Sequence, residues 1–188
     1  MVYPATEIFI EKAAQAIQQG NVVAFPTETV YGLGANAFNA EAVAKIFEIK
    51  QRPFFDPLIV HVESQDMVQQ VVAMLPDIAL QCMEAFWPGP LTLVLPKSNN
   101  IPEIVTAGLD TVAVRMPKHE VAQKLIQASG VPIAAPSANP FGYLSPTTAE
   151  HVAKQLGDKV DIILDGGKCS VGVESTIIKV DHDTVTLL

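Results

Sequence analysis

The chain is poor in arginine. Arg52 and Arg115 are the only two among 188 residues, so neither reads as a general solubilising charge. Each is a candidate for the bidentate grip on carboxylate or phosphate that a guanidinium provides. Cysteine is equally scarce. Cys82 and Cys169 stand 87 positions apart (169 − 82), without a CxxC pair or a histidine at metal-binding spacing, which argues for buried or incidental thiols and against a metal site. No apolar run approaches the roughly 18 to 20 residues that span a bilayer. Met1-Val2-Tyr3-Pro4 lacks the basic and apolar segments of a secretory leader, so a soluble cytoplasmic protein with no membrane partner is expected. Positive charge is short overall, with a formal net charge of −8. A broad phosphate-binding face is therefore disfavoured, whereas a few cations focused in a cleft can still attract a small anion.

Hydrophobic content of 49% and charged content of 17% describe a chain with an ample core, and the length suits one domain over residues 1–188. Leu188 falls inside a strand pattern, which suggests either a cut or a further element beyond it. Ile10, Ala13, Ala14 and Ile17 predict an amphipathic helix between Thr6 and Gly20. Further helices are expected at 39–49, 64–75, 77–86 and 119–129, and from Ser145-Pro146 to about Gly157. Strands are expected at 21–25, 58–62, 91–95, 111–115, 132–135, 161–165, 175–180 and 184–188, the last two forming a hairpin through Asp181-His182-Asp183. The alternation indicates an α/β fold with a mixed sheet, whose strand-end loops are the natural place for a ligand.

Those loops hold the unusual residues. Lys50-Gln51-Arg52-Pro53-Phe54-Phe55-Asp56-Pro57-Leu58 sets two cations two residues apart, stiffened by two prolines that push Arg52 and Asp56 out of helical conformation. Thr27 to Gly34 reads as a loop carrying hydroxyls, the Glu28 carboxylate and the Tyr31 phenol. Gly32-Leu33-Gly34-Ala35-Asn36-Ala37 matches a dinucleotide fingerprint, but six residues separate Phe25 from Gly32 where an immediate strand-to-helix turn is needed. Pro136-Ser137-Ala138-Asn139 lacks the G-x-S-x-G elbow, so Ser137 and Asn139 read better as hydrogen-bond donors to an anion than as catalytic machinery of a hydrolase. His61 between apolar residues reads, taken alone, as a core histidine. The glycine-flanked segment from Asp165 to Thr176 can bring backbone N–H groups to a ligand.

Taken in order, Pro26-Thr27-Glu28-Thr29-Val30-Tyr31-Gly32-Leu33-Gly34, Lys50-x-Arg52-Pro53 with Pro57-Leu58, Phe86-Trp87-Pro88-Gly89-Pro90-Leu91-Thr92, Val114-Arg115-Met116-Pro117, Pro136-Ser137-Ala138-Asn139 and Gly172-x-Glu174-Ser175-Thr176-Ile177 closely resemble the YrdC/Sua5 family, the threonylcarbamoyl-AMP synthases. The resemblance implies a twisted mixed sheet, parallel and antiparallel, flanked by helices around a large concave cavity. It implies a nucleotidyltransferase that makes threonylcarbamoyl-AMP and pyrophosphate from L-threonine, bicarbonate and ATP for the t6A base of tRNA, with Mg²⁺ carried in on the ATP. By the same resemblance Lys50, Arg52, Ser137 and Asn139 form the catalytic tetrad, and Asp56, Thr111 and Ser145 join it around ATP. Thr29, Tyr31, His61, Arg115, Ala135 through its backbone, and Ser175 would hold threonine. Asp56 stands where the family usually has asparagine, and its carboxylate would repel a triphosphate unless paired with Arg52 or Mg²⁺. Partners implied are tRNA or a downstream threonylcarbamoyl-transferase complex, and a Sua5-type C-terminal domain would follow Leu188. An RNA-binding module of the same fold and a serine hydrolase using Ser137 are the alternatives.

Overall fold

The computed structural model describes residues 1–181 and 184–188. Ten strands form one sheet: β1 (Val2–Pro4), β2 (Val23–Phe25), β3 (Gly32–Asn36), β4 (Ile59–His61), β5 (Leu91–Pro96), β6 (Thr111–Arg115), β7 (Ile133–Ala134), β8 (Ile162–Asp165), β9 (Thr176–Asp181) and β10 (Thr184–Leu187). Their order is β1-β8-β2-β3-β7-β4-β6-β5-β9-β10. The β1/β8, β2/β8, β4/β6 and β5/β9 pairs are parallel, and the other five are antiparallel, so the expected mixed α/β sheet is what forms. β9 and β10 pair antiparallel with Thr184 opposite Asp181, while residues 182 and 183 of the expected hairpin turn lie outside the described residues.

Helices α1 (Glu7–Gln18), α2 (Ala40–Lys50), α3 (Gln65–Val71), α4 (Asp77–Phe86), α5 (Glu103–Thr106), α6 (Glu120–Ser129) and α7 (Ala149–Leu156) flank the sheet. α1 buries Ile10, Ala13, Ala14 and Ile17, the four positions its periodicity marks. It packs on α6, where Gln18 Nε2 donates to the Ser129 carbonyl at 3.0 Å. α2 begins where Asn39 accepts from two backbone N–H groups and ends where Gln51 turns left-handed at φ 52°, which swings Arg52 away from the helix axis. Among the described residues no helix is long and apolar enough to cross a membrane.

Five elements depart from the sequence expectation, the first being β1, which forms by pairing with β8. β3 takes in Gly32, Leu33 and Gly34 at the end of the expected 27–34 loop and runs to Asn36, and its glycines answer to packing: a Cβ on Gly34 would lie 2.6 Å from both Ile133 Cγ2 and Phe25 Cε1. The dinucleotide fingerprint therefore sits in a strand rather than at a helix start. α3 stops at Val71 because Val72 bridges to Lys97 and the Ala73 N–H bonds the Pro96 carbonyl. α7 starts at Ala149 under a Thr148 cap, since the Pro146 and Thr147 carbonyls are already taken by the N–H groups of Tyr31 and Cys169. α5 forms inside the expected 96–108 loop, burying Val105 next to the buried Ile101.

Candidate active site

Sheet register assembles the buried part of the site. β4 and β6 are parallel neighbours with His61 opposite Arg115, and β7 sets Ile133 on the other side of His61. Arg115 is 3% exposed and fully engaged in position: its Nη2 lies 2.7 Å from Glu28 Oε1, its Nη1 donates to Thr29 Oγ1 at 2.9 Å, and its Nε donates to the Gly89 carbonyl at 3.2 Å. The Trp87-Pro88-Gly89-Pro90 turn, which includes a cis Trp87–Pro88 peptide, delivers that carbonyl. Only glycine fits there, because a Cβ would lie 2.2 Å from the Phe86 carbonyl oxygen. A guanidinium carries five N–H donors; those to Thr29 and Gly89 are hydrogen-bonded, one faces Glu28 as an ion pair without a hydrogen bond, and two stay open to a ligand.

Two cavities adjoin at Ile59, Pro136, Ser137 and Glu174. The inner one is walled by Thr27, Thr29, His61, Arg115 and Ala135. The outer one, of about 360 Å³, has an apolar floor of Ile59, Val94, Ala113 and Ile177 and is edged by Arg52, Asp56 and Ser175. Arg52 Nη2 lies 2.8 Å from Asp56 Oδ2, and its Nε and Nη2 also donate to the Asp56 and Pro57 carbonyls. Arg52 thus supplies the pairing that a carboxylate at position 56 requires. Ser175 Oγ shares a 2.7 Å hydrogen bond with Thr92 Oγ1.

Lys50 is not the exposed helix-end cation its position in α2 allows. It is 1% exposed, and its Nζ donates to the carbonyls of Ser137 and Asn139, stitching α2 to the Pro136–Asn139 segment. Burial, aided by Arg52, lowers its pKa from 10.5 to about 7, against the pull of Glu174 and Asp56. The unfolded chain then binds more protons than the folded one between those values. The stability Lys50 contributes is full above about pH 10.5 and is lost as pH falls through about 7. Unfolding free energies measured across that range should rise with pH in the wild type and lose this component in Lys50→Met.

Other expected residues stand apart from the cavities. The Tyr31 phenol, protonated well above its ordinary range because of burial, donates to the Gly167 carbonyl at 2.7 Å. Asn139 uses its amide hydrogens on the Pro140 and Tyr143 carbonyls, at 3.0 and 2.8 Å, and so shapes the loop that follows. Thr111 lies on β6 two residues before Ala113, outside both linings. Ser145 reaches the site through Glu174, donating to Oε1 at 2.6 Å. In the 165–176 segment the N–H groups of Cys169, Val171 and Gly172 bond the Thr147, Glu28 and Thr29 carbonyls; these three hold the loop in place rather than facing a ligand. The Cys169 thiol, pushed up to about 11 chiefly by burial, stays protonated, and both cysteines are free. The sequence offers the Glu28 carboxylate only as one polar group of a loop suited to a small polar ligand; nothing in its local pattern marks it as the partner of a residue 87 positions away (115 − 28).

His61 shares the inner wall with Ser137, yet burial and Arg115 pull its pKa down to about 3. So weak a base does not activate a serine at neutral pH, and no hydrogen bond joins Ser137 Oγ to a histidine among the described residues. Among the described residues the hydrolase alternative therefore lacks a histidine base at Ser137.

The family model Sua5/YciO/YrdC, described as telomere recombination, matches residues 15–188. The chain belongs to this family. It is 56% identical to the threonylcarbamoyl-AMP synthase of Pyrococcus abyssi, over 90% of this chain and 50% of that one, and 52% identical to that of Bacillus subtilis, over 95% and 52%. The crystal structure of P. abyssi Sua5 complexed with L-threonine superposes with a TM-score of 0.96 at 52% identity, covering 100% of this chain and 55% of that one. E. coli YciO, at 24% identity and a TM-score of 0.86 over 97% of this chain and 89% of that one, shares the fold. The Sua5/YciO/YrdC chain described here spans about half the length of the curated relatives just named.

Proposed function

We propose that residues 1–188 are the catalytic unit of an L-threonylcarbamoyladenylate synthase, a nucleotidyltransferase that joins L-threonine, bicarbonate and ATP and releases pyrophosphate, in the route to t6A in tRNA. The observation that carries this reading is the adjoining pair of cavities, one closed by a buried guanidinium and the other edged by a second. The chain's only two arginines then serve two anions, the amino acid's carboxylate at Arg115 and the triphosphate at Arg52. The names of the relatives and the L-threonine bound in P. abyssi Sua5 support it.

On this reading Arg115 orients threonine from below, with Thr29 and Ser175 within reach of its polar groups. The apolar floor of the outer cavity receives the nucleoside. Threonine's nitrogen takes up CO₂ as a carbamate, a carbamate oxygen attacks the α-phosphorus, and pyrophosphate leaves. Carbamates and mixed anhydrides hydrolyse readily, so the depth of the inner cavity protects the reacting groups from water. Arg52 stabilises charge on the transferring phosphoryl group, and Lys50, buried and outside both linings, holds the Ser137–Asn139 segment in place. Among the described residues no group of three or more His, Cys, Asp and Glu could hold a metal. Mg²⁺ would be borne mainly on the phosphate oxygens, since Asp56 at the outer cavity is paired with Arg52. When bound, Mg²⁺ supplies charge neutralisation on the phosphates. The reactive product needs a nearby acceptor, so tRNA or a threonylcarbamoyl-transferase complex in the cytoplasm is the proposed partner.

Pyrophosphate release from ATP, with threonine and bicarbonate omitted in turn, tests the reading. Release that needs both supports it, and release that needs neither overturns it.

A further inference from the structure

Glu174 sits in the loop between β8 and β9 and is, among the described residues, the one side-chain carboxylate that lines both cavities. Its Oε1 accepts from Ser145 Oγ at 2.6 Å, and the next residue, Ser175, is tied to Thr92, so this exposed side chain is held at the junction. Its charge reaches both Lys50 and Arg52, which places it beside the nucleotide edge as well. The inner cavity has one cationic side chain, Arg115, already matched by Glu28 at 2.7 Å. An amino acid that lays its carboxylate on the two remaining N–H groups of Arg115 brings a second charge with it, the α-ammonium. The only anion that the inner lining offers that ammonium is Glu174.

We propose that Glu174 is a catalytic residue that receives the substrate's α-ammonium and takes the proton released when the carbamate N–C bond forms. The inference rests on the synthase reading above. The ammonium gives one proton to bicarbonate, which breaks down to CO₂ and water. The freed nitrogen lone pair attacks the carbon of CO₂, and one C=O π pair moves onto oxygen. The N–H proton that the resulting zwitterion loses passes to Glu174 and then, across the outer cavity, to water.

Calorimetric titration of the wild type, Glu174→Gln and Glu174→Asp with L-threonine and with 3-hydroxybutanoate, which is threonine without its ammonium, tests this. Glu174→Gln should lose roughly 10- to 100-fold in threonine affinity with 3-hydroxybutanoate unchanged, and Glu174→Asp should recover part of the preference. In pyrophosphate release, Glu174→Gln should lose kcat as well as raise the KM for threonine, and Glu174→Asp should recover part of both. A threonine preference equal in Glu174→Gln and wild type, or an equal loss for both ligands, overturns the proposal. A wild type that binds threonine but releases no pyrophosphate overturns the synthase reading instead, and the affinity ratio still decides whether Glu174 receives an ammonium. Absence of threonine binding to the wild type overturns both.

Discussion

Arg52→Ala is expected to slow adenylate formation by about 100- to 1,000-fold, the usual loss when a group that stabilises transition-state charge is removed. Three features fix this guanidinium at the cavity edge. Gln51 turns left-handed after α2, Pro53 keeps Arg52 out of helical conformation, and the carbonyls of Asp56 and Pro57 accept from its N–H groups. Its charge is shared with Asp56 at 2.8 Å, so phosphate must compete with that carboxylate. Asp56→Asn keeps the side-chain size and removes the competitor. It should lower the KM for ATP at limiting Mg²⁺ while leaving the KM for threonine unchanged. Pyrophosphate release at varied ATP and Mg²⁺ distinguishes the two variants. Near-wild-type turnover in Arg52→Ala removes Arg52 from the reaction.

Arg115→Ala should show two separable losses. Threonine affinity should fall by about 100-fold or more, because two charge-assisted hydrogen bonds to its carboxylate disappear. Stability should fall by about 3 to 5 kcal/mol, because Glu28, with its side chain 6% exposed, is left as an uncompensated buried charge. Combining Arg115→Ala with Glu28→Gln removes both charges, so most of the stability should return while threonine binding stays lost. Denaturant unfolding reads the stability and calorimetry the threonine affinity. An unchanged threonine affinity in the single variant takes Arg115 out of carboxylate recognition, and a double variant no more stable than the single one breaks the buried-charge argument.

Much of the architecture was legible because it is set by near neighbours. The burial stripe of α1 and the extents of α2 and α6 follow from residues within about one helical turn. β3 overlaps an expected loop because glycine is depleted in strands. The reason for the glycine, an approach of Ile133 and Phe25 to within 2.6 Å of a would-be Cβ, lies in other parts of the chain. β1 was missed for a similar reason, since three residues gain strand character only by pairing with β8 about 160 positions later.

The sequence by itself determined the α/β class, the spacing of the motif loops and the scarcity of arginine that singles out Arg52 and Arg115, since composition and short-range pattern carry that information. Only the tertiary structure decided how those residues are used. Lys50 grips two carbonyls 87 and 89 positions away, Glu28 turns out to be the counter-ion of Arg115, and Glu174 stands where two cavities meet. The physical reason is that a one-residue change in strand register turns a side chain to the opposite face. Register across non-consecutive strands is settled by the packing of the whole sheet rather than by any local run of residues.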